Sequence, residues 1–253
     1  MRLAPLFDQR GRQRLAVLDR LLDEEHGAPE TTLGNHLDPL DEAVYIILSF
    51  QTGLARFQET WKSLRVAFPQ WKDAERASVD QISRVLRPGG LHCQKAKAIK
   101  RLLEVVRGEF GRLSLDSLRG LADADAERAL TRLPGLSLKG ERCVLLYSLG
   151  REVLPVDGNT FRILLRAGVV PRGAVYRRRA LHDKLQAAVP PERRRRFHVN
   201  LVVHGQHICL PQRPRCFACP VLSSCPRRGI GLLQSDAVPQ PRHPDHPQRT
   251  RYA

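Results

Sequence analysis

The sequence predicts an all-α protein. Apolar residues recur at helical spacing in several segments, and no segment alternates polar and apolar residues well enough to make a strand. The composition, 42% hydrophobic and 27% charged, is that of an ordinary folded chain. In chain order, residues 9–25 place Leu15, Leu18 and Leu22 on one helical face, and residues 41–50 are dominated by Ala43, Val44, Ile46, Ile47 and Leu48. Residues 95–107 gather Ala96, Ile99, Leu103 and Val106 on one side, with Lys97, Lys100, Arg101 and Glu104 elsewhere. Two short helices, 124–132 and 140–149, flank the turn Leu133-Pro134-Gly135. A further helix starts near 158 and ends near Gly168, and another spans about 175–188. The stretch 230–253 carries Pro239, Pro241, Pro244 and Pro247 among Arg, His and Gln, and is expected to be a disordered basic tail. No internal repeat is visible.

The 253 residues suffice for one large domain or two small ones. No apolar run approaches the roughly 18 residues that span a bilayer. The N-terminal stretch lacks the unbroken apolar core of a secretion signal, so a cytoplasmic protein is expected. The formal net charge of +16 calls for an anionic partner, nucleic acid before a membrane surface, or else a solvated basic face. Nothing marks an oligomer, and a monomer is expected.

Four cysteines, Cys209, Cys216, Cys219 and Cys225, follow the pattern C-x6-C-x2-C-x5-C. Four thiols so close in sequence can surround a [4Fe–4S] cluster or a structural zinc, and ligand count alone separates neither from the other. A disulfide pair is disfavoured in a chain that otherwise reads as intracellular. Cys93 and Cys143 lie outside the pattern and read as buried thiols.

In LPGLSLKGERCVLL (133–146) a helix ends at Pro134-Gly135 and another begins at once. In the turn Pro134-Gly135-Leu136-Ser137, the backbone N–H groups from Gly135 onward (Pro134 has none) and those of the following helix can seat a phosphate, with Lys139 just beyond. Taken alone, this is an ordinary helical hairpin with a solvated lysine. In VDGNTFRILLRAG (156–168), Asp157 taken alone is a helix N-cap.

Together and in order, these pieces resemble the endonuclease III branch of the helix–hairpin–helix DNA glycosylases, over residues 37–226. LSFQTG (48–53) is similar to the family's LSAQ segment, and GLHCQKAKAI (90–99) to GLYNSKA. LPGLSLK (133–139) is similar to LPGVGRK, VDGNTFR (156–162) to VDTHIFR, and the cysteines close the match. The resemblance implies a [4Fe–4S] cluster rather than zinc. It implies a six-helix barrel over 37–153 and a cluster domain assembled from 1–36 and 154–229. It further implies a partner, double-stranded DNA containing damaged bases or abasic sites, with Gln51 filling the space opposite an expelled base and Leu91 wedging the stack. Without the family match, Gln51 reads as a surface helix residue and Leu91 as core. Arg213 and Arg215 lie between cysteine ligands, where they can meet phosphates; Arg193 to Arg196 and Arg177 to Arg179 read as solvated runs.

The implied chemistry is base excision followed by strand nicking. A neutral amine attacks C1′ of the sugar, forms a Schiff base and permits β-elimination. Lys139 is the implied nucleophile and Asp157 the carboxylate that stabilises the sugar cation or helps deprotonate the amine. An ordinary lysine is neutral in roughly 0.04% of molecules at pH 7, so its pKa must fall by ~3 to reach half. Oxidised pyrimidines are the expected substrates. The alternatives are a shifted range (alkylated or mismatched bases), a lyase alone, or a non-catalytic protein that binds damaged DNA. Departures from the family cluster at Phe50, Leu54, Ser137, Gly140 and Asn159. Ser137 stands where a second hairpin glycine is expected, and would be strained if that position needs positive φ.

Overall fold

A computed structural model describes residues 9–29 and 34–230 of the chain. Among them are eleven α-helices and no strand, the class expected. They divide into two compact units, one of residues 34–155 and one of residues 9–29 with 156–230. The proline-rich stretch beyond Ile230 lies outside the described residues.

The first unit contains α2 (Pro39–Ser49), α3 (Leu54–Ala67), α4 (Trp71–Arg76), α5 (Val79–Leu86), α6 (His92–Phe110), α7 (Asp123–Thr131) and α8 (Leu138–Cys143). Asp38 starts α2 by accepting from the Leu40 and Asp41 N–H groups (2.9 and 2.8 Å), with Pro39 in the first turn, where its missing N–H costs nothing. The apolar run then goes straight into the core, Leu40 through Leu48 being buried apart from Asp41. The face expected on α6 is the observed one: Ala96, Ile99, Leu103 and Val106 are fully buried against it. The segment expected as a helix over 140–149 is α8 followed by a π-helical turn, Val144–Ser148. Cys143 is buried, whereas Cys93, on the outer side of α6, is exposed rather than buried.

The second unit contains α1 (Gln9–His26), α9 (Gly158–Arg166), α10 (Arg179–Ala188) and α11 (Arg194–His207). Leu15, Leu18 and Leu22 are the buried stripe of α1. Helix α11 has no stripe: every residue from Phe197 to Gly205 is buried, including His198, Asn200 and His204. The arginine run at its start is not simply solvated. Arg193 reaches Asp19 (3.0 Å) and Asp23 (3.0 Å), Arg196 reaches Asp23 (2.8 Å), and Arg194 donates to the Gln186 and Val189 carbonyls.

Candidate functional site

In the first unit, the chain leaves α2 through an exposed turn, Phe50–Gly53. Gln51 sits there with φ of 50°, so it is not a helix residue. Leu91 has φ of 49°, is 37% exposed and immediately precedes α6, so it is not a core residue. The Thr52 hydroxyl lies 2.9 Å from the Gly89 carbonyl and brings the two segments together. Gly89 is required at that approach: a Cβ there would stand 2.7 Å from Thr60 Oγ1.

The hairpin turn follows α7. Gly135 has φ of 84°, and a Cβ on it would meet Ala98 and Ile47 at 3.1 Å, so glycine answers both conformation and space. Ser137 is not strained: its φ is −93°, and its hydroxyl caps α8 by accepting from the Gly140 N–H (3.4 Å). The positive-φ demand therefore falls on Gly135, with Pro134 and Leu136 half-buried on either side. Lys139 occupies the first turn of α8, also half-buried. Gly140 packs against α2: a Cβ would be 3.1 Å from Ile46 Cγ2 and 3.3 Å from Leu136, so a larger residue would require those side chains to give way.

Glu42 is a residue that the sequence reading missed. It lies one helical turn before Ile46 on α2, with no exposed surface. One carboxylate oxygen accepts from Asn35 Nδ2 (2.6 Å), the other from the His36 N–H (2.8 Å). Burial pushes its pKa up to about 7, against the pull of those two donors and of the Lys139 charge. The signal available was a carboxylate inside an apolar helix, where it must face a partner or be neutral.

In the second unit, Asp157 caps α9. It accepts from the Thr160 N–H (2.7 Å) and, weakly, from Asn159 Nδ2 (3.4 Å). Asn159 is pinned in turn, accepting from Arg162 (2.9 Å) and packing where a Cβ on Gly205 would meet it at 2.6 Å. Lys139 and Asp157 belong to different units.

None of the four cysteines is in a disulfide, and Cys209, Cys216 and Cys225 each act electrostatically on Cys219. Burial pushes Cys219 up to about 12; the Val221 N–H opposes this, and Cys209, Cys225 and Cys216 add to it. Cys225 is raised for the same leading reason. Four thiolates in such a place need a cation to hold them deprotonated, which is what a metal centre supplies. Arg166 donates to Cys209 Sγ (3.4 Å) and to the Leu210 and Pro211 carbonyls (2.6 and 2.7 Å), and the His204 ring lies 3.5 Å from Cys219 Sγ. Among the described residues, no three His, Cys, Asp or Glu side chains converge as ligands of a single ion. Arg213 and Arg215 project from this loop, both exposed, and make no side-chain hydrogen bond or ion pair with the described residues.

A helical unit with a Pro-Gly hairpin and lysine, and a helical unit with a four-cysteine loop, are the two parts expected of a helix–hairpin–helix protein of the DNA glycosylase type. No protein-family model matches the chain. A putative DNA glycosylase of Arabidopsis thaliana is 35% identical over 170 residues, covering 67% of this chain and 57% of that protein. The chain thus spans little more than half of that relative's length. Endonuclease III of Bacillus subtilis is 26% identical over 191 residues, 75% of this chain and 82% of that one. The structure of a non-covalent endonuclease III–DNA complex matches with a TM-score of 0.74 at 21% identity, over 85% of this chain and 95% of that chain. In sequence and in fold the chain is similar to the endonuclease III-like helix–hairpin–helix DNA glycosylases.

Proposed function

We propose that this protein is a base-excision DNA glycosylase with abasic-site lyase activity, acting on double-stranded DNA with damaged bases, oxidised pyrimidines above all. The observation that carries the reading is the placement of Lys139. It follows the Pro134-Gly135 turn directly, and its charge is felt by a buried carboxylate, Glu42. The uncharged Lys139 Nζ attacks C1′. The glycosidic bond breaks with its electron pair leaving on the base, which takes up a proton. Opening of the sugar ring gives an imine between Nζ and C1′. Loss of the C2′ proton then expels the 3′ phosphate, and water releases the lysine. Asp157 is the carboxylate that balances the cationic sugar. Cys209, Cys216, Cys219 and Cys225 would hold a [4Fe–4S] cluster. Four thiolates are the donor set that such a cluster takes. Bound there, it would fix the loop that carries Arg213 and Arg215, the residues assigned to DNA phosphates.

Borohydride reduction in the presence of an abasic duplex tests this. The wild-type protein should be trapped on DNA, and Lys139→Ala should lose trapping by ~10³-fold or more. Undiminished trapping of Lys139→Ala would reject Lys139 as the nucleophile.

A further inference from the structure

Lys95 is 4% exposed, yet it ends in an ammonium group. No carboxylate answers it. Its Nζ donates to the Leu48 carbonyl (2.8 Å), to Thr52 Oγ1 (2.5 Å) and to the Gly89 carbonyl (3.2 Å). Three acceptors use the three protons of an ammonium. They come from two separate segments: the end of α2 with the turn after it, and the turn that precedes α6. The Thr52 hydroxyl, 2.9 Å from the Gly89 carbonyl and 3.1 Å from that of Phe50, adds a second tie between them.

What these ties hold is unusual backbone. Each segment carries one non-glycine residue in the left-handed region, Gln51 at 50° and Leu91 at 49°. Such residues persist only where their surroundings over-determine them. Both segments also present large apolar side chains to solvent, Phe50 at 56% and Leu91 at 37% exposure. A lysine that takes backbone carbonyls from both segments keeps the two apices at a fixed separation.

We propose that Lys95 is a positioning residue, bracing the Phe50–Gln51 and Gly90–Leu91 apices into one pre-formed, two-pronged element that enters the DNA stack where a base has been expelled. This rests on the glycosylase reading above and assigns work to residues outside its chemistry. Entry requires unstacking, and prongs ordered beforehand lose little further freedom as they enter. Phe50, where relatives carry a small residue, adds an aromatic face on which a base can stack.

The test uses the full chain with Lys95→Met, Thr52→Val and Thr52→Ser. Fluorescence anisotropy compares an undamaged duplex with one carrying a tetrahydrofuran abasic analogue. Hydrogen exchange of the free protein follows residues 49–53 and 87–91. The wild type should prefer the abasic duplex. Lys95→Met should bind undamaged DNA as before, lose about tenfold or more of that preference, and exchange faster in both segments. Thr52→Val should shift the same way by less, and Thr52→Ser, which keeps the hydroxyl, should restore the wild-type values. If Lys95→Met does not fold, Thr52→Val alone decides. Unchanged preference and unchanged exchange in whichever variant folds overturn the brace. A wild-type protein that binds both duplexes alike would instead sink the glycosylase reading on which the brace depends.

Discussion

Two sets of ionisable side chains, one in each unit, are held in opposite ways. In residues 34–155, Glu42 is hydrogen-bonded by an amide and a backbone N–H, and Lys95 by carbonyls and a hydroxyl. Neutral partners do not repay desolvation in full, so each pKa moves against its charged form, Glu42 upward and Lys95 downward. In the other unit, acids meet bases. Burial pushes Asp23 up, but hydrogen bonds from Arg196, Arg193 and Asn200 outweigh it and hold the carboxyl below its usual range. Arg193 is raised, chiefly by its bond to Asp19. Charged partners fasten helices together, whereas neutral partners leave a group able to change its protonation or to hold strained backbone.

The largest effect expected comes from Asp157, which caps α9 and is partly exposed. Asparagine keeps an N-cap oxygen for Thr160, so Asp157→Asn should leave the unfolding midpoint unchanged. Single-turnover base release should fall about 10²-fold, because the charge is lost. A fall in stability with an unchanged rate would reduce Asp157 to a cap.

Glu42 comes next. Its carboxyl rises from 4.5 to about 7 on folding, so its protonated form favours the native state. Stability is greatest below pH 4.5 and declines as pH rises through 7, by about 3 kcal/mol in total. Glu42→Gln should remove this decline, measured as denaturant midpoints from pH 4.5 to 8. The same slope in the variant would mean that Glu42 is not the titrating group.

Asp23→Ala should cost about 1–2 kcal/mol, since it removes the partner of Arg196 and one of the two partners of Arg193, both partly in solvent. Thermal unfolding measures it, and the loss should be the same on either side of neutrality. The smallest effect belongs to the arginines with no side-chain partner among the described residues. Replacing Arg213 and Arg215 together by alanine should lower the salt dependence of DNA binding by about 1–2 in log–log slope, with no loss of stability. An unchanged slope would remove both from the DNA-binding surface.

The cysteine spacing and the Pro134-Gly135-to-Lys139 stretch were legible because chemistry there demands particular residue types at fixed intervals. Helices α1 and α6 were legible because each has one wet side. Helix α11 escaped notice because a helix buried all round shows no stripe. Helices α3 and α4 went unread because each puts few side chains into the core, with an aromatic cluster supplying the rest: Tyr45 meets Phe57 and Trp61, and Arg65 covers Trp61 and Trp71. Glu42 and Lys95 were passed over because composition counts them as surface charge, and burial is a property of the folded chain. The arginine run at 193–196 erred the other way, since its acidic partners on α1 are more than 165 residues distant in sequence.

That separation has a consequence for synthesis. Residues 34–155 form a continuous stretch and can settle as soon as they leave the ribosome. Helix α1 is made first but must wait, its leucine stripe uncovered, until α11 emerges with Arg193, Arg196 and Asn200. A nascent chain stalled before residue 194 would carry an orphaned greasy helix at its front end, a target for chaperones until translation resumes.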